Sequence, residues 1–207
     1  CQVEGMAAHD ALLELSGMLN VIAASFIKIA NYLRWMSSGP NCGIGELIMP
    51  EDGLTSSIMP GKRNPTIAEV MIQTGMQVAG NHVAATMAGA SGNFELNVAK
   101  PVLIYNVLQS IRLLSDSARV MAERVIPGLE PDLPRLARQL DSPLLAATAL
   151  NPVLGYDQAA RIVRHAMAHG VSPRDAAVQL GVLAAEEYDR LVDLQRMARG
   201  YGGSERH

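Results

Sequence analysis

Apolar side chains recur with helical spacing in three long stretches of the chain. In the first stretch, from about residue 7 to residue 37, steps of three and four residues separate Leu12, Leu15, Leu19, Ile22, Phe26, Ile29 and Leu33. That spacing is typical of a helix that packs nearly parallel to its neighbours. No Pro and a single Gly, Gly17, interrupt the stretch. The pattern therefore predicts one long bundle helix.

Two further stretches carry the same kind of pattern. The second runs from residue 66 to about residue 88 and places apolar or small side chains at Ile67, Val70 or Met71, Thr74, Val78 and Ala85. The third runs from residue 101 to about residue 125 and places them at Ile104, Leu108, Ile111, Leu114, Ala118 and Met121. Because polar breaks separate the three stretches, we expect antiparallel helices in an elongated bundle.

The pattern changes after about residue 126, where prolines divide the chain into shorter pieces. Helices are predicted at 132–140, 144–149, 156–169, 173–180 and 184–191. Asp157 and Ser172 are predicted as N-caps, and Gly170 and Gly181 as C-terminal stops. We therefore expect an all-α protein. A bundle domain would occupy residues 1–138, and a small C-terminal helical domain with a frayed end would occupy residues 139–207.

The composition favours helices and an assembled protein. Hydrophobic residues make up 49% of the chain and aromatic residues only 4%. Most of the apolar character therefore comes from Ala, Leu, Val, Ile and Met, a mixture that favours helices over a sheet-rich fold. A chain this apolar often covers part of its surface in an oligomer interface. We expect the protein to assemble.

Charge and polar residues argue against two classes of partner. The net charge is −3 with no long run of either sign, whereas nucleic-acid-binding proteins usually carry a basic stripe. Every window of 18 residues contains polar groups, so no membrane-spanning segment is expected. The two cysteines, Cys1 and Cys42, have no metal-ligand spacing and form no obvious disulfide framework, which favours a reduced cytoplasmic setting.

The stretch LTSSIMPGKRNP, residues 54–65, lies in the break between the first two predicted helices. From Gly39 to Pro65 the chain contains four Pro and five Gly, too many for a regular helix. A loop this long is usually functional or disordered. It is not a phosphate-binding P-loop, since Ser56 stands where the first Gly is required and Arg63 follows Lys62.

The loop nevertheless carries residues suited to catalysis on a carboxylate. A serine is a poor base by itself, but backbone N–H groups, a lysine and an asparagine can stabilise its alkoxide. Lys62 and Asn64 can also bind a carboxylate, the first through its charge and the second as a donor. The residues themselves leave two interpretations open, a lid that closes over a small anion and a solvated connection.

A metal site is a weaker interpretation elsewhere in the chain. His165 and His169 are four residues apart on a predicted helix, a spacing that can place both on one metal ion. No Glu adjoins His165 and no third ligand lies nearby in sequence. A solvated helix face is the favoured alternative, and no metal site is expected.

The loop resembles the signature of the fumarase/aspartase superfamily, Gly-Ser-Ser-x-Met-Pro-x-Lys-x-Asn-Pro, and only the leading Gly departs, as Thr55. Other segments resemble class II fumarases in the family's order: AAHDALLELSGMLN, SGPNCGIGEL, GNFELNVAKPVLIYNVLQSIRLL, ALNPVLGYDQAARI and AAVQLGVLAAEEYDRLV. Asn41 stands where these enzymes usually have Arg, and Arg63 where they usually have a small apolar residue. The resemblance covers nearly the whole chain, with the signature loop at about 50–65.

The resemblance implies roles for six residues. Ser56 matches the base that removes a proton from the carbon beside a carboxylate, and Glu69 matches an acidic residue that supports the site. The remaining matched positions have substrate-binding roles, to which Arg63 contributes through its backbone: Ser57, Lys62, Arg63 and Asn64.

The implied activity is the reversible hydration of fumarate to malate, without a metal or organic cofactor. An aspartate ammonia-lyase, or another lyase that releases fumarate, is the enzymatic alternative. Family members are considerably longer homotetramers that build each active site from three subunits, and their catalytic histidine lies in the amino-terminal part. We therefore expect this chain to be a carboxyl-terminal half in a cytoplasmic protein. The other alternative is an inactive fragment or the assembly subunit of a split enzyme.

Overall fold

A computed structural model describes residues 2–51, 58–140 and 144–199 of the protein. The chain divides into two compact units, Cys1–Asp132 and Leu133–His207. Helices dominate both units, which confirms the all-α class; the described ranges contain only two strands, each of two residues. The predicted domain boundary after residue 138 falls inside the helix Leu133–Leu140, which belongs to the second unit. The domain assignment itself stays a prediction.

Three long helices form the first unit. A short helix α1 precedes them, and the four run in the order α1 (Gln2–Ala7), α2 (Asp10–Met36), α3 (Thr66–Gly89) and α4 (Lys100–Arg124). The three predicted bundle helices are confirmed, with ends shifted by a few residues. Helix α3 is central, because it packs against both α2 and α4 along its length.

Glycines on α3 allow α2 to approach closely. A Cβ added at Gly75 would lie 2.5 Å from Cγ1 of Ile27, and one added at Gly89 would lie 2.6 Å from Cδ1 of Leu13. Real Cβ atoms do not approach a neighbour this closely, so a larger residue at Gly89 would displace the Leu13 side chain, and one at Gly75, which also lies near the backbone oxygen of Ala23, would push α2 and α3 apart. The small side chains that the sequence places on α3 therefore set the helix spacing.

The apolar seam predicted for α2 is only half right. Every second member of the predicted set faces α3 and α4 and is buried or half-buried: Leu12, Leu19, Phe26 and Leu33. The other members are exposed: Leu15, Ile22 and Ile29. The physical reason is that α2 is apolar on two faces, of which only one is covered within the chain.

Helix α4 shows the same departure and α3 shows less of it. On α4 the predicted Leu114 and Met121 are buried, whereas three predicted core residues are exposed: Ile104, Leu108 and Ile111. On α3 the predicted Thr74, Val78 and Ala85 are buried, and of the two candidates at 70 and 71 the buried one is Met71. Helix α3 has neighbours on two sides, so the apolar positions predicted from its sequence agree better with the buried positions than those of α2 and α4 do.

Helix α2 is also long and apolar enough to cross a membrane. It contains a window of 18 residues with a mean hydropathy of 1.6, although only 17% of that window is buried. The polar groups on which the sequence prediction relied do not exclude the helix by this criterion. A core helix of a helical bundle also meets it, and α2 packs one face on α3 and α4.

A two-stranded ladder in the first unit was not predicted. Strand β1 (Leu47–Ile48) pairs antiparallel with β2 (Glu130–Pro131), and Leu47 lies opposite Pro131. Beyond the ladder, the N–H of Asp132 donates to the carbonyl of Glu46 at 2.8 Å. The ladder ties the loop after α2 to the end of the first unit, which fixes one side of the segment that leads to residues 54–65.

The second unit is built from short helices around its own core. Beyond η1 (Ile126–Gly128), which belongs to the first unit, the order is α5 (Leu133–Leu140), η2 (Leu144–Leu150), α6 (Asn151–Leu154), α7 (Tyr156–His169), α8 (Pro173–Gln179), α9 (Ala185–Leu191) and α10 (Leu194–Arg199). The predicted bounds of α7 are confirmed, the piece at 144–149 is a 3₁₀ helix, and α6 and α10 were not predicted. The core is a closed cluster around Leu150, Ile162 and Ala176, all fully buried.

Helix ends in the second unit follow three of the four predicted signals. Ser172 is the N-cap of α8, because its hydroxyl accepts a hydrogen bond from the N–H of Asp175 at 3.0 Å. Gly170 and Gly181 each have a φ of +64°, the left-handed conformation that ends a helix. The N-cap prediction for Asp157 is wrong, since Gly155 is the N-cap and Asp157 lies in the first turn.

Candidate active site

Residues 58–65 form the described part of the signature loop and lead directly into α3. Gly61 has a φ of +76°, a conformation that favours glycine, and the N–H of Lys62 closes a turn by donating to the carbonyl of Met59 at 3.2 Å. The loop ends at Pro65, after which α3 begins at Thr66. The predicted base Ser56 and its neighbour Ser57 lie outside the described residues.

The three polar residues after this turn do not share one environment. Lys62 is exposed, and Asn64 is half-buried with its carbonyl accepting a hydrogen bond from the hydroxyl of Thr66 at 3.5 Å. Between them, the guanidinium of Arg63 forms an ion pair with Glu51 at 2.5 Å.

Glu69 lies in the first turn of α3 and faces the end of α2. Its carboxylate Oε1 is 3.6 Å from Nη2 of Arg34, which belongs to the last turn of α2. Both positions suit the helix dipoles, since an acidic residue begins α3 and a basic residue ends α2. The structure thus gives the predicted supporting carboxylate a cationic neighbour from another helix.

A cavity of about 350 Å³ opens beside this ion pair. It is lined by the end of α2, the following loop, and the start of α3: Arg34, Trp35, Ser37, Ser38, Gly39, Cys42, Arg63, Pro65 and Glu69. Of the predicted site residues in the described ranges, the cavity thus brings together Arg63 and Glu69. Lys62 and Asn64 are not among the residues that line it.

Hydrogen bonds hold in place the cavity wall that is formed by the segment after α2, residues 37–44. The hydroxyl of Ser37 donates to the carbonyl of Leu33 at 2.7 Å, and the hydroxyl of Ser38 donates to the carbonyl of Trp35 at 2.5 Å. Ser38 also accepts from the N–H of Ile44 at 3.1 Å. These bonds satisfy helix-end carbonyls and hold the segment from 37 to 44 against α2. Cys42 in this wall is a free, exposed cysteine.

The metal interpretation is limited to the pair of histidines in the second unit. His165 and His169 stack with ring centroids 4.0 Å apart, and Nε2 of His165 lies 3.0 Å from Oε1 of Gln179. Within the ranges 2–51, 58–140 and 144–199, no group of three or more His, Cys, Asp and Glu side chains could hold a metal ion.

Sequence reasoning missed Arg34 as a member of the site. Basic side chains are common in the last turn of a helix, because their charge complements the helix dipole. A basic residue at this position therefore does not by itself indicate a functional site. The signal that could have found it is the single basic side chain at the point where a long apolar helix meets the Gly- and Pro-rich loop. Its meeting with Glu69 depends on how α2 and α3 pack, which sequence spacing does not give.

Known families match both units of the chain. Residues 2–80 match the family described as Lyase, and residues 147–199 match the family described as Fumarase C C-terminus. Class II fumarate hydratase of Rickettsia felis is 52% identical over 94% of this chain and 42% of its own length. That of Thermosynechococcus vestitus is 49% identical over 96% of this chain and 43% of its own length. The chain thus spans less than half the length of these relatives.

Solved structures give the same result. The crystal structure of a class II fumarase from Schistosoma mansoni superposes with a TM-score of 0.90 at 38% identity, over 94% of this chain and 41% of that one. A match over 94% of the chain extends into both compact units. The chain therefore belongs to the fumarase/aspartase superfamily, and its residues correspond to the carboxyl-terminal portion of class II fumarate hydratases.

Proposed function

We propose that this chain is the carboxyl-terminal portion of a class II fumarate hydratase, which adds water reversibly to fumarate and forms malate. The observation that carries the proposal is an identity of about 50% to class II fumarate hydratases that extends over 94% or more of the chain. The signature loop supports it, because every defined position except Thr55 agrees with the superfamily pattern.

The proposed reaction begins at the loop serine. In the direction from malate to fumarate, Ser56 takes the proton from C3, and the electron pair left behind spreads into the adjacent carboxylate as a carbanion. The C2 hydroxyl then leaves as water after gaining a proton, and the double bond of fumarate forms. Ser57 assists by binding the substrate carboxylate.

Lys62 and Asn64 are the proposed clamp for the dicarboxylate. Lysine supplies a point charge and asparagine a donor, so the pair favours a carboxylate over a neutral group. Arg63 contributes backbone contacts to this clamp, since its side chain turns toward Glu51 and the cavity. Glu69 supports the site through its carboxylate beside Arg34.

The proposal includes assembly as a homotetramer, or with a separate amino-terminal portion. Support comes from the large apolar side chains that the first unit leaves exposed, among them Met18, Val21 and Tyr32 on α2. An exposed apolar patch of this kind is typical of an interaction surface. We place the assembled enzyme in the cytoplasm, and small dicarboxylates are its proposed ligands.

Ultraviolet detection of fumarate tests the proposal. The chain is assayed with malate and with aspartate, first by itself and then after mixing with the unmatched amino-terminal portion of the R. felis relative. Fumarate formed from malate in either preparation supports the hydratase. Fumarate formed only from aspartate indicates an ammonia-lyase. Activity that requires the added portion identifies the chain as an assembly partner, and an assembled complex without lyase activity contradicts the proposal.

The serine assignment has its own test. Ser56→Ala in the active preparation is expected to lower turnover by about a hundredfold or more, because it removes the base, while leaving the oligomeric state unchanged. Thr55→Gly, which restores the superfamily residue at the neighbouring position, is the matched control and is expected to keep turnover. Near-normal turnover of Ser56→Ala would overturn the role of Ser56.

A further inference from the structure

Arg34 has more donor capacity than its neighbours use. Its guanidinium carries five N–H donors. Of these, Nη1 donates a long hydrogen bond of 3.4 Å to Oδ1 of Asn31, and Nη2 lies 3.6 Å from Glu69, beyond hydrogen-bond distance. Its Nε is buried and has no partner among the residues that the structure describes. The side chain is 41% exposed and its Nη atoms keep unused donors, so they are suited to bind an acceptor of a ligand.

Arg63 brings a second guanidinium to the same cavity. Its ion pair with Glu51 joins two side chains that are about two-thirds exposed, at 67% and 68%. An exposed pair of this kind contributes little to stability, so a competing anion can replace Glu51 at small cost. Arg63 is therefore available to a ligand in the cavity in a way that a buried ion pair would not be.

The charges that line the cavity favour an anion. Two guanidinium groups and one carboxylate, from Arg34, Arg63 and Glu69, face a volume of about 350 Å³. Planar guanidinium groups bind carboxylate and phosphate oxygens in a bidentate manner. A cavity of this size holds a small oxyanion together with several waters, since one water occupies about 30 Å³ in the liquid.

We propose that this cavity is a second oxyanion site, in which Arg34 and Arg63 bind a small carboxylate or phosphate separately from the clamp of Lys62 and Asn64. The ligand replaces Glu51 on Arg63 and accepts from the Nη atoms of Arg34. Arg63 lines the cavity, whereas its two sequence neighbours, which form the clamp, do not. The cavity shares Arg63 and Glu69 with the proposed hydratase site, but anion binding to the two guanidinium groups can be measured without turnover.

Isothermal titration of the purified chain with inorganic phosphate and with malonate, at low ionic strength, tests the site. We expect one-to-one binding of at least one of the two anions, and the tighter of them identifies phosphate or carboxylate as the ligand chemistry. Arg34→Gln and Arg63→Gln are each expected to weaken that binding by about tenfold or more. Arg63 is exposed, so its variant keeps the test valid even if Arg34→Gln disturbs the end of α2.

Two control variants distinguish binding in this cavity from a general effect of surface charge and from binding at the clamp. Arg164→Gln removes the same charge from an exposed position on α7, and Lys62→Gln removes the cation of the clamp. Arg164→Gln is expected to bind both anions as the unaltered chain does. Lys62→Gln is expected to keep phosphate binding and to lose only malonate that binds at the clamp. The proposal is overturned if neither anion binds, if Arg63→Gln binds as well as the unaltered chain, or if either control variant loses as much affinity for phosphate as Arg63→Gln. None of these outcomes requires catalytic turnover, so they do not decide the hydratase proposal.

Discussion

The two compact units differ in how completely they bury their apolar residues. In the second unit, short helices enclose Leu150, Ile162 and Ala176, which are fully buried. In the first unit, the long helices bury one set of large residues, such as Leu103 and Val107, but leave another set exposed, such as Val21 and Trp35 on α2 and Met76 on α3. The second unit therefore contains its own hydrophobic core, whereas the first leaves an exposed apolar surface of the kind that is typical of an interaction surface.

Helix α2 shows why the first unit differs. Its inward face packs on α3 and α4, while a stripe at Met18, Val21, Ile22, Ile29 and Tyr32 follows helical spacing on the outward face. A helix that is apolar all round is usually buried, either in a protein core or in a membrane. The family assignment favours a protein core, since residues 2–80 match the Lyase family and relatives extend well beyond this chain.

The largest change in stability is expected from the core of the second unit. Ile162→Ala removes a fully buried side chain and is expected to lower the free energy of unfolding of this unit by about 3–4 kcal/mol. Hydrogen exchange read on α7 and α8 peptides measures the loss, with α3 peptides as an internal reference. Met167→Ala, on the same helix but exposed, is expected to change it by less than about 0.5 kcal/mol. If the two variants lost the same amount of unfolding free energy, the buried cluster around Ile162 would not be what stabilises the second unit.

In the first unit, a glycine pair on α3 tests the helix spacing. A Cβ at Gly75 would lie 2.5 Å from Cγ1 of Ile27 and 3.1 Å from the carbonyl oxygen of Ala23, and the backbone atom cannot move aside. Gly75→Ala is expected to cost about 1–3 kcal/mol. Gly80→Ala meets no atom within 4 Å and is expected to stabilise α3 by about 0.5–1 kcal/mol.

Urea unfolding followed by circular dichroism compares the two alanine variants at matched concentrations. The opposite signs are the critical result, because helix propensity favours alanine at both positions and only packing distinguishes them. If both variants were stabilised, α2 and α3 would not be in close contact at Gly75.

Local regularity made several parts of the fold predictable. The bounds of α7 follow from its continuous pattern and from Gly170, and Ser172 identified the start of α8 because its cap is a local interaction. The N-cap prediction for Asp157 failed because Gly155, with a φ of +76°, is the N-cap, so the helix begins two residues earlier than an aspartate cap at 157 requires. Local chemistry therefore predicts where helices begin and end, except where a glycine offers another geometry.

Tertiary features were much less predictable. The ladder between Leu47 and Pro131 joins distant parts of the chain, and two-residue strands leave no alternating pattern to detect. Outward residues such as Ile22 and Ile29 satisfy the same periodicity as inward ones, so spacing could not tell which face the chain itself covers. Lys62 and Asn64 were predicted as site residues from the loop and the resemblance, and that prediction is untested, whereas Arg34 and the cavity required knowledge of helix packing.

A smaller effect is expected from the exposed ion pair of the second unit. The guanidinium of Arg174 donates to both carboxylate oxygens of Asp189, at 2.7 and 2.9 Å. This hydrogen bonding and the charge of Arg174 lower the pKa of Asp189 below its ordinary value of 3.8. A lowered pKa means that the pair stabilises the fold above pH 3.8, and that this contribution is lost as the pH falls through the lowered value.

Asp189→Asn is accordingly expected to lower the melting temperature slightly at neutral pH, and the difference should shrink below pH 3.8. Thermal unfolding over a pH series, with Arg174→Gln and the double variant, completes a double-mutant cycle. Single variants whose effects simply add would show that the two side chains do not interact in solution.

The smallest change in unfolding free energy is expected on the outward face of α2, where the effect should appear in association instead. Val21 is 66% exposed and lies between other exposed apolar residues of the stripe. Val21→Ser has nearly equal helix propensity, so helical content should not change, but removal of an apolar contact is expected to weaken self-association or capture of the amino-terminal portion by about tenfold. Sedimentation velocity measures this, with Val178→Ser on the exposed surface of α8 as the matched control. If Val178→Ser weakened association as much as Val21→Ser, the exposed stripe of α2 would not be the surface that a partner covers, and the contrast between the two units would lose its functional meaning.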